Sequence, residues 1–326
     1  MRRRTLLAAP ALLLFPRAEA QTALPVVASF SILADIAKQV GRDRVAVSAV
    51  AGADVDSHGF QPRPSDVEPI ARAAVLLRNG LGFDPWFDRL VQASGSRATV
   101  VTASEGVTPL MTRGHHHHHH DHGHGHGHGD HGHHHGEGRR RHHSVEPALR
   151  PDPHAWQDVR NAMLYAENAA RGLAAADPAG ADAYRAALAA YRGRLQALEE
   201  EIRRGIATVP EARRVVVTAH QAFGYFGAAY GVRFLAPQGV SEHSEPSAAE
   251  VARLIRFIRA ERVTAVFIEN VRNPALLQRI AQESGARIGG RLYSDALSRP
   301  DGPAPTYEAM MRHNLSLLVP AMRGGA

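Results

Sequence analysis

Short apolar runs alternate with amphipathic ones from Gln21 to Thr102. Pro25 to Ala28 reads as a strand, and Ser31 to Val40 as a helix stopped by Gly41. Val45 to Val50 alternates as a strand. Ser65 to Ala73 is helical, Ala74 to Leu77 a strand, Asp84 to Ala93 a helix and Ala98 to Thr102 a strand. This βα alternation predicts a parallel sheet with helices on both faces. The pattern resumes at Asp152, a candidate N-cap with Pro153 at the first helical position, and that helix runs to about Ala176. Beyond Asp177-Pro178, the residues Tyr184, Leu188, Tyr191, Leu195, Leu198 and Ile202 recur at steps of four and three. They predict a helix over Ala179 to Ala207 with one buried face, roughly 40 Å long and able to act as a strut between two lobes. A second α/β unit follows. Val215 to Thr218 and Ala265 to Ile268 are strands, Arg287 to Leu292 is a weak strand carrying two glycines, and helices cover Gln221 to Tyr230, Ser247 to Ala260, Pro274 to Ser284 and Thr306 to Met322.

The chain has 326 residues, enough for two compact domains. Its start reads as an export signal: Arg2 to Arg4, an apolar run from Leu6 to Phe15, and the A-x-A site Ala18-Glu19-Ala20. Residues 1–20 are therefore expected to be cleaved, by the Sec route or, from the Arg3-Arg4-x-Leu6-Leu7 stretch, the twin-arginine route. Removing them lowers the formal charge from +6 to about +3, a weak basis for nucleic-acid binding. There is no cysteine, so thiolate ligands, disulfides and lipid attachment through cysteine are excluded. The expected product is free in a periplasm, not lipid-anchored, and monomeric by default.

Histidine changes the picture most. His115, His116, His117, His118, His119 and His120 are consecutive. His122, His124, His126 and His128 alternate with Gly or Asp, and His131, His133, His134, His135, His142 and His143 follow. A stretch so rich in His, Gly, Asp and Arg cannot build a core, so 114–143 is expected to be a disordered surface loop offering weak auxiliary metal sites. Outside it, His58, His154, His220 and Asp295 each fall after a predicted strand or at a helix start, where open α/β sheets bind ligands. Three imidazoles and a carboxylate suit Zn²⁺, though a lone histidine is more often a satisfied surface or core residue than a ligand. Position alone leaves that choice open. Glu269 ends a strand and could support a ligand. Trp156, Phe223 and Phe226 could wall a cleft or simply pack in the core.

The local motifs are more specific. Asp54-Val-Asp-Ser-His58-Gly-Phe-Gln-Pro62-Arg-Pro-Ser-Asp66, Asp152-Pro-His154-Ala-Trp156, Thr218-Ala-His220-Gln-Ala-Phe-Gly-Tyr-Phe226 and Leu292-Tyr-Ser-Asp295-Ala-Leu resemble, in order, the metal motifs of the cluster A-I solute-binding proteins. These are the zinc and manganese receptors of ABC importers. Asn79-Gly-Leu-Gly82 and Glu245-Pro-Ser247 add to the resemblance, which spans nearly the whole chain beyond residue 20. It implies two α/β lobes with parallel-type sheets joined by a long rigid helix, with metal in the cleft between them. The expected division is 21–178, 179–207 and 208–326. The resemblance also implies that His58 and His154 from the first lobe and His220 and Asp295 from the second are the ligands. Manganese-selective members carry Glu where this chain has His220, and imidazole favours zinc over the oxygen-preferring manganese. The resemblance is thus to the zinc type, ZnuA/AztC-like.

The expected function is capture of Zn²⁺ outside the cytoplasm and delivery to an ABC transporter membrane permease, with a periplasmic zinc chaperone as a candidate donor. It is not an enzyme on this reading. The alternatives are a manganese-type receptor, a zinc hydrolase and a periplasmic zinc buffer. A hydrolase is opposed by the lack of an H-E-x-x-H motif and by Asp295 filling the position that a catalytic water would need.

Overall fold

The computed structural model describes residues 22–113, 149–237 and 246–324. The first lobe alternates strictly: β1 (Leu24–Phe30), α1 (Ser31–Gly41), β2 (Val45–Ala51), α2 (Val67–Arg72), β3 (Val75–Arg78), α3 (Pro85–Ser94) and β4 (Thr99–Thr102). Its strands are parallel in the order β2-β1-β3-β4. Val26 to Phe30 are buried without a break, which is why β1 reads as a continuous apolar run and not as an alternating one.

A two-stranded antiparallel ribbon, β5 (Met111–Arg113) with β6 (Leu149–Pro151), leads into α4 (Val159–Ala176) and α5 (Ala181–Ala207). The second lobe holds β7 (Val215–Val217), α6 (Gly224–Tyr230), β8 (Arg233–Leu235), α7 (Ala248–Ala260), β9 (Ala265–Glu269), α8 (Ala275–Ser284), β10 (Arg287–Leu292) and α9 (Tyr307–Arg323). Its sheet is again parallel, ordered β10-β9-β7-β8. The fold is two α/β lobes linked by a long helix.

α5 carries the predicted seam. Tyr184, Tyr191, Leu195, Leu198 and Ile202 are buried, and Leu188 is half-buried. They join a cluster that runs from Phe30 through Trp156 and Tyr165 to Phe223, Tyr307 and Met310, so both lobes share one core with the linking helix. A smaller cluster, with Val217, Ile258, Val266, Leu277 and Ile280, lies under α7 and α8. Among the described residues no helix is long and apolar enough to cross a membrane.

Several expected boundaries move. No α-helix begins at Asp152; α4 starts at Val159, where the Asp158 carboxylate accepts from the Arg160 N–H. The Asp152 carboxylate is instead turned onto His154. Residues 221–223 are not helical, so α6 starts at Gly224, and Gly41 forms the last residue of α1 instead of lying beyond it. The expected helix over 65–73 divides into a 3₁₀ turn, Pro64–Asp66, and α2. Strands β5, β6 and β8 were not anticipated. The expected signal at 1–20 and the loop 114–143 lie outside the described residues.

Candidate metal centre

The second lobe presents its site by topology. The chain leaves β7 to pair β8 on one side and β9 on the other, so a crevice opens at the carboxyl ends of β7 and β9. His220 lies three residues beyond β7, Glu269 is the last residue of β9, and Asp295 lies three residues beyond β10. The first lobe supplies His58 from the segment after β2 and His154 from the chain leaving β6. Trp86 Nε1–H holds the first of these segments through the Ser57 carbonyl at 2.8 Å. Asn79, just past β3, holds the second by donating to the Pro153 carbonyl at 3.0 Å, and is itself fixed by the Tyr165 hydroxyl at 2.8 Å. Trp156 Nε1–H and Gln157 Nε2–H both donate to the Ser294 carbonyl at 2.9 Å, tying the Asp295 segment to the first lobe.

These anchors bring His58, His154, His220 and Asp295 together, with one candidate donor atom from each inside a 4.8 Å span. His58 Nε2 and His154 Nε2 are 2.9 Å apart, and His220 Nε2 is 3.0 Å from Asp295 Oδ2. His154 Nε2 is 3.4 Å from Asp295 Oδ1, and His58 Nε2 is 3.7 Å from Asp295 Oδ2. Donors at 2.0–2.1 Å from a tetrahedral ion lie about 3.3–3.4 Å apart, so these separations bracket a tetrahedral edge. His154, His220 and Asp295 are fully buried, and 8% of the His58 side chain is exposed.

Outer partners orient the rings. Asp152 Oδ1 takes the His154 Nδ1–H at 2.7 Å, and Glu269 Oε2 faces His220 Nδ1 at the same distance. Each leaves Nε2 pointing inward, as where a metal-binding histidine gives its other ring nitrogen to a carboxylate. Burial pushes the His58 ring well below the ordinary imidazole range, against the pull of Asp295. Burial also opposes charge on His220, but Glu269 and Asp295 outweigh it and hold His220 well above that range. Burial would raise Asp295, yet His220 and His154 keep it well below the ordinary carboxylate range.

A model of the family described as "Zinc-uptake complex component A periplasmic" (ZnuA) matches residues 26–321. The chain belongs to the ZnuA family. The manganese-binding lipoprotein MntA of Halalkalibacterium halodurans is 31% identical over 91% of this chain and 87% of its own. The iron-binding protein YfeA of Yersinia pestis is 29% identical, over 88% and 82%. Among solved structures, the periplasmic zinc-binding protein TroA of Treponema pallidum superposes with a TM-score of 0.77, at 28% identity, over 92% of this chain and 99% of TroA. As a ZnuA-family member the chain is a periplasmic metal-binding receptor of an ABC importer, a transport component that partners a membrane permease.

The comparisons correct one expectation. A protein free of any lipid anchor was expected, but MntA is named a lipoprotein, as are streptococcal relatives matched over 90% of this chain. The lack of cysteine bears only on attachment through that one side chain, so composition was too narrow a ground for the exclusion. The packing decides a choice that the sequence left open. Phe223 and Phe226 do not wall the centre; they pack on Phe234, and Phe226 also on Tyr230. The aromatic wall is Phe83, 4.5 Å from His58 and 6.0 Å from His154 between ring centroids, with Trp156 at 5.3 Å from His154.

Asp152 and Arg272 were missed as parts of the site, and Asp56 was not singled out from its neighbours. A signal existed for the two aspartates. Asp56-Ser-His58 and Asp152-Pro-His154 are the same Asp-x-His pattern, and in both the aspartate Oδ1 accepts from the histidine N–H at 3.0 Å. Arg272 has no comparable mark. The histidines of the 114–143 tract lie outside the described residues.

Proposed function

We propose that this protein is a zinc receptor in which His58, His154 and His220, through Nε2, and one oxygen of Asp295 surround a single Zn²⁺ carried to the permease. The observation that supports it is the donor set: three imidazole nitrogens and one carboxylate whose candidate donor atoms lie within 4.8 Å of one another. The relatives are named for manganese, iron and zinc, so the choice of metal rests on this chain's own side chains. A site of three nitrogens suits zinc; manganese prefers octahedral oxygen donors. Two ligands come from each lobe, so the ion itself bridges the cleft, and the permease would read the closed surface. The cycle is capture and release, with no covalent step. The histidines of 114–143 would add weak, separate sites that collect zinc.

Competition between Zn²⁺ and Mn²⁺ for the first equivalent bound tests the metal. Zinc is expected to win; tighter manganese binding would overturn the reading. Loss of an outer-shell partner typically weakens metal binding by about 10–100-fold, so loss of a ligand should cost at least about 100-fold. His58→Ala, His154→Ala and His220→Ala are each expected to reach that, and Asp295→Ala to cost less. Unchanged affinity in any histidine variant removes that residue from the set.

A further inference from the structure

Arg272 enters the metal centre from the turn that follows β9, with 10% of its side chain exposed. Its Nη1–H donates to Asp56 Oδ2 at 2.8 Å, while Asp56 Oδ1 accepts from the His58 N–H at 3.0 Å. Its Nη2 stands 3.7 Å from Asp295 Oδ2. One guanidinium thus grips the aspartate that sets the His58 loop and faces the carboxylate supplied by the other lobe. A fixed cation repels a cationic cargo, so its place beside the centre calls for a compensating role.

The carboxylate suggests that role. If both oxygens of Asp295 gripped the ion, the coordination number would rise to five. His220 Nε2 faces Oδ2 at 3.0 Å. With that nitrogen turned to the ion, Oδ2 needs a different partner. Arg272 Nη2 is then a donor in place. Closing the gap to an ordinary hydrogen bond of about 2.9 Å needs a shift of about 0.8 Å. Oδ1 remains for the metal, 3.4 Å from His154 Nε2.

We propose that Arg272 is a positioning residue that confines Asp295 to one metal-binding oxygen, fixing the site at four ligands and favouring zinc over ions that need more oxygen donors. This rests on the four-ligand zinc reading above. A second observation supports it. Between α7 and α8 lies an open cavity of about 820 Å³, lined in part by Val251, Ile255, Leu276, Arg279, Asp56 and Arg272. Asp295 is fully buried, so the Asp56–Arg272 pair stands between that cavity and the carboxylate. There the pair would keep out water that could add a fifth ligand.

Cobalt(II) tests the inference, because its visible absorption is strong when tetrahedral and weak at higher coordination number. The full chain is loaded with one equivalent of Co²⁺, and Zn²⁺ and Mn²⁺ are competed in parallel. The wild type is expected to give the strong tetrahedral band. Arg272→Gln removes the charge and the fork. Its band should fall severalfold, and its preference for zinc over manganese should drop about tenfold. Asp56→Asn, which releases Arg272, should shift both readouts the same way, and it decides the matter alone if Arg272→Gln fails to fold by circular dichroism. Unchanged spectra and preference in the folded variants overturn the role of Arg272. A wild type without the tetrahedral band, or one that prefers manganese, defeats the zinc reading beneath it instead.

Discussion

His220 sits fully buried between two carboxylates, Glu269 on Nδ1 and Asp295 on Nε2. The two anions outweigh the burial of the ring and hold it well above the ordinary imidazole range, which favours the charged ring at neutral pH. A metal ion must displace the proton of that ring, whereas His58, held well below the ordinary range chiefly by burial, has no such proton to lose. Apparent affinity should therefore fall by about tenfold for each pH unit of acidification on account of His220 alone. Calorimetry in buffers of different ionisation enthalpy measures the released proton. Glu269→Gln should reduce that release and weaken binding by about 10–100-fold. Release unchanged in the variant would remove Glu269 as the group that holds the proton. At this scale the sequence pointed to the four residues that the fold brings together, but not to Asp152 or Arg272. Asp152 looked like a helix cap because a cap and a ring-orienting carboxylate share the same local pattern.

Among the elements, α4 shows how close packing overrides intrinsic propensity. A Cβ on Gly172 would lie 2.2 Å from Val101 Cγ2, so that glycine lets α4 lie directly on β4. Gly193, in α5, faces open space and is exposed. Alanine is worth about 1 kcal/mol over glycine in a helix interior. Overpacking costs about 1–3 kcal/mol. Gly193→Ala is thus expected to stabilise the protein by about 1 kcal/mol, and Gly172→Ala to destabilise it by up to about 2 kcal/mol. Thermal or urea melts check both, and Val101→Ala in the Gly172→Ala background should recover the loss. Long, periodic elements such as α5 were legible, and so was the Ser247 start of α7, where Ser247 and Glu250 form a capping box. The three-residue strands β5, β6 and β8 were not, since so short a segment owes its conformation to the strand beside it.

At the scale of the molecule, both lobes and the linking helix share one core built from residues outside the histidine tract, which predicts a centre that survives its removal. The ribbon pairs Arg113 with Leu149, so the ends of the segment between them are held together by backbone hydrogen bonds. Replacing 114–148 by an Asn-Gly turn should preserve the ribbon and leave His154 in place. One tight zinc per chain is expected to remain while weaker equivalents vanish, as counted by titration against a chelator. Loss of the tight zinc would shift the function to a buffer built on the tract.

The sequence by itself determined the alternation of strands and helices, the length and buried seam of α5, and the order of the four metal motifs, because each is a local pattern of side chains. It did not determine that Asp56, Arg272 and Glu269 lie against the residues of those motifs. That depends on how two sheets place their carboxyl ends across one cleft, where Arg272 and Asp56 lie 216 positions apart in the chain and 2.8 Å apart in space. Charge and hydrogen bonding act over ångströms, and only the folded chain sets which groups come that near.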